Sequence, residues 1–241
     1  MRIKLLVTSQ CNGACAHCSV RPWMKYHEKD PYHLSMEDLD LFCDTTTYSK
    51  YKPERIALIG GEPLMWKNIV EGTFLLVSTF PKSEIIMTTN ALLMKEENLN
   101  FIEMVADHID FFRISRYFGN EENIEFALKH FPSQVKVVDH RNRRFLPASQ
   151  IVPWDFHVDC DCPGFTICGD QISYCSPMRT MGHLHPIAKE DTVFSWITKK
   201  VEMYYMNFFP DVYPYQLRSC RSCIGNKNLR KYCIQVPNIV K

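Results

Sequence analysis

The chain has 241 residues, 46% of them hydrophobic and 23% charged, and its formal net charge is +1. This length and composition suffice for one moderately large domain with a small appendage, and the charge argues against a general nucleic-acid-binding surface. No apolar run reaches the ~18–20 residues of a membrane span, and the N-terminus lacks a signal-peptide core. We therefore expect a cytoplasmic protein without membrane contact, in which the eleven cysteines are more often metal ligands or catalytic groups than partners in disulfides.

Short apolar runs alternate with amphipathic stretches in the first part of the chain, which predicts repeated strand–helix units. Strands are predicted over residues 2–8, 55–59, 84–88, 110–115 and 135–138. Helices are predicted from residue 36, with Ser35 as N-cap, and over residues 68–80, 95–106 and 120–131. This pattern indicates an α/β fold, a partial (β/α)5–6 barrel of the TIM type, whose ligands lie beyond the carboxyl ends of the strands.

The alternating pattern ends after Asp139, and a basic segment with Arg141, Arg143 and Arg144 follows. We predict a first domain of residues 1–145 and a smaller second domain of residues 146–241. In the second domain, a Gly169-Asp170 turn between two apolar runs predicts a hairpin over residues 165–167 and 172–174. A helix is predicted over residues 191–207.

Three cysteines with the spacing C-x3-C-x2-C, namely Cys11, Cys15 and Cys18, follow the first predicted strand. Three closely spaced thiolates can hold one iron–sulfur cube and leave its fourth iron without a protein ligand. Structural zinc takes four protein ligands, so the alternative is a zinc knuckle completed by His17 or His27.

A Gly-Gly-Glu-Pro run at residues 60–63 follows the second predicted strand. Paired glycines at a strand end allow a ligand close to the backbone, and Glu62 can accept a hydrogen bond from a ligand ammonium group. With the cysteine triplet before it, this run resembles the motifs of the radical S-adenosylmethionine (SAM) superfamily. The resemblance implies that the triplet holds a 4Fe-4S cluster, that the amino and carboxylate groups of SAM chelate the open iron, and that reduction cleaves SAM to methionine and a 5′-deoxyadenosyl radical.

The same resemblance implies contacts to SAM from residues that follow the predicted strands. These residues are His17, Gly60, Gly61, Glu62, Pro63, Asn90, Ser115 and Arg116. A flavodoxin- or ferredoxin-type protein is the expected electron donor.

Seven cysteines lie in the C-terminal third of the chain, whereas Cys43 stands alone on the apolar face of a predicted helix and is expected in the core. The region resembles the SPASM extension, or its shortened twitch form, which carries an auxiliary 4Fe-4S cluster beside a hairpin and a helix. The implied ligands are Cys162, Cys175, Cys220 and Cys223. Three further cysteines, Cys160, Cys168 and Cys233, are not assigned, so the presence of a second auxiliary cluster stays open. A structural zinc ribbon is the alternative for the region.

The overall arrangement is similar to that of short twitch-type aminocyclitol dehydrogenases. The resemblance implies that the radical removes a hydrogen atom from a hydroxyl-bearing carbon of a carbohydrate- or aminocyclitol-like small molecule, and that the auxiliary cluster accepts the remaining electron. Within the same superfamily, peptide crosslinking or epimerisation is the alternative. A non-catalytic zinc-stabilised binding module is the alternative from another functional class.

Overall fold

Strands and helices alternate along the first 140 residues of the computed structural model. The structure describes residues 2–15, 18, 20, 24, 27–48, 52–141, 144–145, 165–168, 171–173, 194–195 and 234–235. The strands of the first part are β1 (Arg2–Thr8), β2 (Arg55–Gly60), β3 (Glu84–Thr89), β4 (Phe111–Arg116) and β5 (Val135–Asp139). The helices between them are α1 (Met36–Tyr48), α2 (Ile69–Thr79), α3 (Leu99–Ala106) and α4 (Glu121–His130). Every strand and helix predicted for this part is confirmed, with ends shifted by a few residues.

The strands form one sheet in the order β5-β4-β3-β2-β1, and all of these neighbours are parallel. A sixth parallel strand, β7 (Phe165–Cys168), pairs with β1, so β1 lies inside the sheet between β2 and β7. Two antiparallel strands, β8 (Gln171–Ser173) and β9 (Phe194–Ser195), extend the sheet beyond β7. The predicted α/β fold with a partial, barrel-like parallel sheet is therefore confirmed.

The later strands give a mixed outcome for the sequence predictions. The hairpin of β7 and β8 is confirmed, but its membership of the main sheet was not predicted. The helix predicted over residues 191–207 is wrong at Phe194–Ser195, because these residues form β9 and pair with β8. A separate two-stranded sheet pairs β6 (Arg144–Phe145) with β10 (Ile234–Gln235). The division of the chain at residue 145 stays a prediction.

Helix α1 shows how local sequence and packing agree. The Ser35 hydroxyl accepts a hydrogen bond from the Asp38 backbone N–H at 3.0 Å, which caps the helix as predicted. Leu39, Phe42 and Cys43 are buried against the sheet, so the predicted core position of Cys43 is confirmed. No helix among the described residues combines the length and the apolar character that a membrane crossing requires.

Trp66 anchors the loop after β2 in the same core. Its side chain is 1% exposed, and its indole N–H donates to the Leu34 carbonyl oxygen at 2.8 Å. Gly72 of α2 leaves room for this ring, since a Cβ atom at position 72 would lie 2.2 Å from it. The packing of Trp66 in the core thereby fixes the loop that carries the Gly-Gly-Glu-Pro run.

Candidate active site

The segment with the three early cysteines leaves β1 and returns beside it. The Leu34 N–H donates to the Val7 carbonyl oxygen at 2.8 Å, and the Ser9 N–H donates to the Tyr32 carbonyl oxygen at 2.9 Å. The Tyr32 N–H donates in turn to the Ser9 hydroxyl at 2.9 Å. These bonds close the intervening segment at its base. The part from Cys11 to Cys18, here termed the cysteine loop, is therefore held at the carboxyl end of β1.

All three thiols of the cysteine loop line one cavity of about 450 Å³. Each of the three side chains is half-buried, and the wall also includes Gln10, Met24, His27, Glu28 and Met65. Among the described residues, no three His, Cys, Asp or Glu side chains are arranged to hold a single metal ion. Three soft thiolate donors around a cavity of this size fit an iron–sulfur cluster.

Cys11 has a strongly raised pKa. Burial raises its pKa to about 12, and the nearby charges of Glu62, Cys18 and Cys15 act in the same direction. The Gly13 N–H donates to its Sγ at 3.3 Å and opposes the rise. The protein environment of Cys11 therefore disfavours a free thiolate, and a coordinated metal centre is what would deprotonate this thiol.

The two glycines at the end of β2 are required by the backbone of residues 8–10, which leads into the cysteine loop. Gly60 has φ +147°, and a Cβ atom there would lie 2.4 Å from the Thr8 carbonyl oxygen. A Cβ atom on Gly61 would lie 2.0 Å from the Gln10 carbonyl oxygen. The N–H groups of Gly61 and Glu62 donate to these same two oxygens, each at 2.7 Å. The pair therefore permits close contact between two backbone segments. This reason for the glycines differs from the close approach of a ligand that was predicted from the sequence.

Glu62 is 1% exposed and is held by three donors from the protein. The Leu64 N–H and the Thr89 hydroxyl donate to Oε1 at 3.2 and 2.7 Å, and the Asn90 N–H donates to Oε2 at 2.8 Å. Burial raises the pKa of this carboxyl to about 7, although the three hydrogen bonds lower it. Since a carboxylate has about four acceptor positions, Glu62 retains about one for the ammonium group predicted from the sequence.

Asn90 connects the end of β3 to the cysteine loop. Its Nδ2 donates to Asn12 Oδ1 at 3.0 Å and lies 3.7 Å from Cys11 Sγ, within hydrogen-bonding range of sulfur. Its Oδ1 accepts the Leu92 N–H at 2.8 Å. Ala91, which is fully buried, has the left-handed φ of 63° that non-glycine residues rarely adopt. The chain therefore makes a sharp turn directly after Asn90, at the point where its side chain reaches the cysteine loop.

Asn120 extends the same polar contacts to β4. Its side chain is 1% exposed, and its Nδ2 donates to the carbonyl oxygens of Asn90 and Ser115 at 2.7 and 2.9 Å. Its Oδ1 accepts the Tyr117 N–H at 3.0 Å. We term Glu62, Thr89, Asn90 and Asn120 the Glu62 network. This network joins the carboxyl ends of β2, β3 and β4, and through Asn90 it reaches the loop that follows β1.

Ser115 and Arg116 end β4, where SAM contacts were predicted. Ser115 is buried. Arg116 Nε is buried and finds no hydrogen-bond partner among the described residues. Its positive charge contributes to the lowered pKa values of Glu121 and Asp139. Arg116 therefore presents a cationic donor group at this end of the sheet.

Some predicted site residues lie outside the described residues: His17, Cys160, Cys162, Cys175, Cys220, Cys223, Cys233 and Arg143. Cys168 is described and lies at the carboxyl end of β7. It is 4% exposed and packs in a small cluster with Leu6, beside the half-buried Val20 and Met24. Arg141 forms a double hydrogen bond with Asp139, which lowers the pKa of that carboxyl to about 2.

The residues that hold these features coincide with a known sequence family. The family model described as the Radical SAM superfamily matches residues 5–136. This range is more than half of the chain, and it contains the cysteine loop and the whole Glu62 network.

Curated relatives match shorter parts of the chain. The GTP 3′,8-cyclase of Campylobacter jejuni subsp. doylei is 33% identical over 96 residues, which are 39% of this chain and 28% of the relative. The molybdenum cofactor biosynthesis protein moc-5 of Caenorhabditis elegans is 26% identical over 156 residues, which are 58% of this chain and 26% of the relative. The match thus spans less than a third of the length of these proteins.

Solved structures match nearly the whole chain. BtrN in complex with AdoMet and 2-DOIA superposes with a TM-score of 0.57 at 16% identity, over 92% of this chain and 92% of BtrN. BtrN in an open conformation gives a TM-score of 0.50 at 16% identity, over 94% of this chain and 95% of BtrN. At this level of identity the likeness concerns the fold.

Proposed function

This chain belongs to the radical SAM superfamily, and we propose that it oxidises a hydroxyl-bearing carbon of a carbohydrate- or aminocyclitol-like small molecule. Enzymes of this superfamily use a 4Fe-4S cluster and SAM. When bound, these groups and an auxiliary 4Fe-4S cluster would supply an electron, a 5′-deoxyadenosyl radical and an acceptor for the electron that the substrate loses. The observation that carries the proposal is the convergence of three thiols on one cavity beside the Glu62 network.

The residues of the first domain have distinct roles in this proposal. Cys11, Cys15 and Cys18 hold the first cluster, and the alternative of a zinc knuckle is disfavoured by the family match over the same residues. SAM is contacted from the cysteine loop and from the ends of three strands by His17, Gly60, Gly61, Glu62, Pro63, Asn90, Ser115 and Arg116. The Arg116 Nε, buried and without a partner among the described residues, supports a role in binding an anionic or hydroxyl-rich ligand group.

The auxiliary cluster is assigned to the region of residues 146–241, with Cys162, Cys175, Cys220 and Cys223 as ligands. The confirmed hairpin of β7 and β8 supports this assignment, because Cys162 precedes the hairpin and Cys175 follows it in the chain. A hairpin with a cysteine on each side and a C-x2-C pair can supply the four thiolates of one cluster.

The choice of a small hydroxylated substrate rests on the resemblance to aminocyclitol dehydrogenases and on the shared fold with BtrN, which was solved with AdoMet and 2-DOIA. At the ends of β4 and β5, Tyr117 stacks on His140 with ring centroids 5.8 Å apart, and the His140 N–H donates to the Arg116 carbonyl oxygen at 2.9 Å. These contacts fix polar groups next to Arg116, where we place the hydroxyl groups of the substrate.

The decisive experiment measures product formation by the anaerobically reconstituted enzyme. SAM, a reductant or a flavodoxin-type donor, and a panel of aminocyclitols and sugars are supplied, and mass spectrometry follows 5′-deoxyadenosine and ketone. We expect one ketone for each 5′-deoxyadenosine. Solvent deuterium retained at the reacting carbon would indicate epimerisation instead. Turnover of GTP or of a precursor peptide, with no oxidation in the panel, would replace the proposed substrate class.

Iron analysis tests the auxiliary cluster separately. We expect about eight iron atoms per chain in the reconstituted protein, because two cubane clusters hold about four each. The Cys223→Ala variant should retain about four and still form 5′-deoxyadenosine, but it should lose ketone formation. A wild-type content of about four would remove the auxiliary cluster from the proposal, and about twelve would add another.

A further inference from the structure

We infer that Asn90 donates an N–H···S hydrogen bond to the Cys11 sulfur and thereby raises the reduction potential of the cluster held by the cysteine loop. Asn90 would then be a positioning and tuning residue that acts through a cysteine ligand, in addition to any contact with SAM. The inference rests on the proposed role of Cys11 as an iron ligand.

The orientation of the Asn90 amide is determined by its neighbours. The Leu92 backbone N–H can only donate, and it donates to Oδ1 at 2.8 Å. The NH2 group must therefore be on the other side, where it lies 3.0 Å from Asn12 Oδ1 and 3.7 Å from Cys11 Sγ. The group has two hydrogens, which suffice for one bond to each of the two partners.

The backbone of Asn90 is fixed on both sides of the amide. Its N–H donates to Glu62 at 2.8 Å, and its carbonyl oxygen accepts from Asn120 at 2.7 Å. Both partners are 1% exposed. These contacts tie the backbone of Asn90 to β2 and β4, and the side chain cannot rotate away from the sulfur without breaking the bond from the Leu92 N–H to its Oδ1.

The expected electrostatic effect has a definite sign. Reduction adds negative charge to a cluster and its sulfur ligands, so an N–H donor stabilises the reduced form more than the oxidised form. Asn90 is 8% exposed, and the low local dielectric strengthens the interaction. Cys11 already accepts the Gly13 N–H at 3.3 Å, and Asn90 provides a second donor from a different strand end.

Two substitutions of Asn90 and one control separate this effect from a structural one. Asn90→Ser retains a short oxygen acceptor for the Leu92 N–H but is too short to reach Cys11. Asn90→Asp retains the shape and replaces the donor with an acceptor. Asn12→Ala removes the neighbouring hydrogen-bond partner at an exposed position, while the Asn90 amide and Cys11 are unchanged.

The measurement is a redox titration followed by electron paramagnetic resonance, with the loop cluster recognised by the change of its signal when SAM is added. We expect the equilibrium constant for reduction to fall about threefold to tenfold in Asn90→Ser, which is roughly 30 to 59 mV for one electron. A larger fall is expected in Asn90→Asp, and Asn12→Ala should match the wild type.

The outcomes distinguish this inference from the proposed function. An unchanged potential in an Asn90→Ser protein with full iron content would overturn the inference alone. An equal fall in Asn12→Ala would also overturn it, because the effect would then come from the loop conformation. A wild-type protein whose signal never responds to SAM would overturn the proposed function, and the inference with it. If Asn90→Ser does not assemble its clusters, Asn90→Asp replaces it: the added negative charge and the lost donor both lower the potential, so an unchanged potential in Asn90→Asp would overturn the inference.

Discussion

The Glu62 network and the cysteine loop meet at Cys11, yet their side chains have different surroundings. Glu62, Asn90 and Asn120 are between 1% and 8% exposed, and their polar atoms are hydrogen-bonded to the protein. The three thiols are half-buried and line a cavity of about 450 Å³. The polar groups of the Glu62 network thus have hydrogen-bond partners within the protein, whereas the sulfur atoms of the cysteine loop face a cavity.

This difference indicates a division of labour within one site. The network fixes the ends of β2, β3 and β4 against the segment that enters the cysteine loop. Most of its hydrogen-bonding groups are used in these contacts. In the proposed function the loop provides its ligands at a position that is already defined by its surroundings, which lowers the ordering cost of binding. Substitutions in the two regions should therefore have different consequences.

The largest expected effect is the loss of SAM cleavage after a substitution in the cysteine loop. Cys15→Ala should reduce 5′-deoxyadenosine formation more than about 100-fold, because two thiolates do not hold the cubane in place. The measurement is the amount of 5′-deoxyadenosine after reduction with SAM present. Cys43→Ala is the matched control: it removes a buried thiol of the apolar core and should leave the product detectable. Undiminished cleavage by Cys15→Ala would show that the loop is assigned the wrong chemistry.

A large effect on stability is expected where Gly61 contacts the segment that enters the cysteine loop. In Gly61→Ala the new Cβ atom would lie 2.0 Å from the Gln10 carbonyl oxygen, which is backbone and cannot rotate away. We expect the free energy of unfolding to fall by about 3 kcal/mol, with a lower iron content after reconstitution. Chemical denaturation measures the first quantity. A variant as stable as the wild type, with full iron content, would disprove the close contact.

A smaller loss of stability is expected for a substitution inside the Glu62 network. Leu64 and Asn90 donate backbone N–H groups to different oxygens of Glu62, and a glutamine offers only one oxygen. Glu62→Gln should therefore leave one buried N–H unsatisfied and cost about 2 kcal/mol of the free energy of unfolding. Denaturant titration at neutral pH checks this value. A cost near zero would mean that the carboxylate does not accept both donors.

A further prediction is a pH trend in stability that belongs to the same residue. Burial raises the pKa of Glu62 from 4.5 to about 7, so the native state holds this proton more tightly than the unfolded chain. Its contribution to stability is full below pH 4.5 and is lost as the pH rises towards 7. Between these values the wild type should lose stability relative to Glu62→Gln. Parallel stability curves for the two proteins would contradict the raised pKa.

The sequence predicts the strand–helix order because each apolar run packs against the core with at least one face. It also predicts the position of the cysteines after β1 and of Glu62 after β2. It does not predict Asn120, which was placed only as the start of a helix. Its role depends on contacts to Asn90 and Ser115, and these arise from the order of strands in the sheet, which local patterns do not encode.

Two further features of the structure were not predicted from the sequence for similar reasons. The pairing of β7 with β1 joins residues about 160 positions apart, and no periodicity in a four-residue strand reveals such a partner. The glycines at 60 and 61 are correctly placed as special positions. However, their neighbours are Thr8 and Gln10 of the adjacent segment, so the reason for them becomes visible only in three dimensions.

The central claim, that the cysteine loop holds a cluster with an iron corner for SAM, is tested most directly with SAM labelled with ¹⁵N at its amino group. Electron–nuclear double resonance on the reduced, anaerobically reconstituted protein should detect a nitrogen coupled to the cluster. The coupling should be lost in Cys15→Ala. Reduced clusters that show no such coupling at saturating SAM would contradict the account.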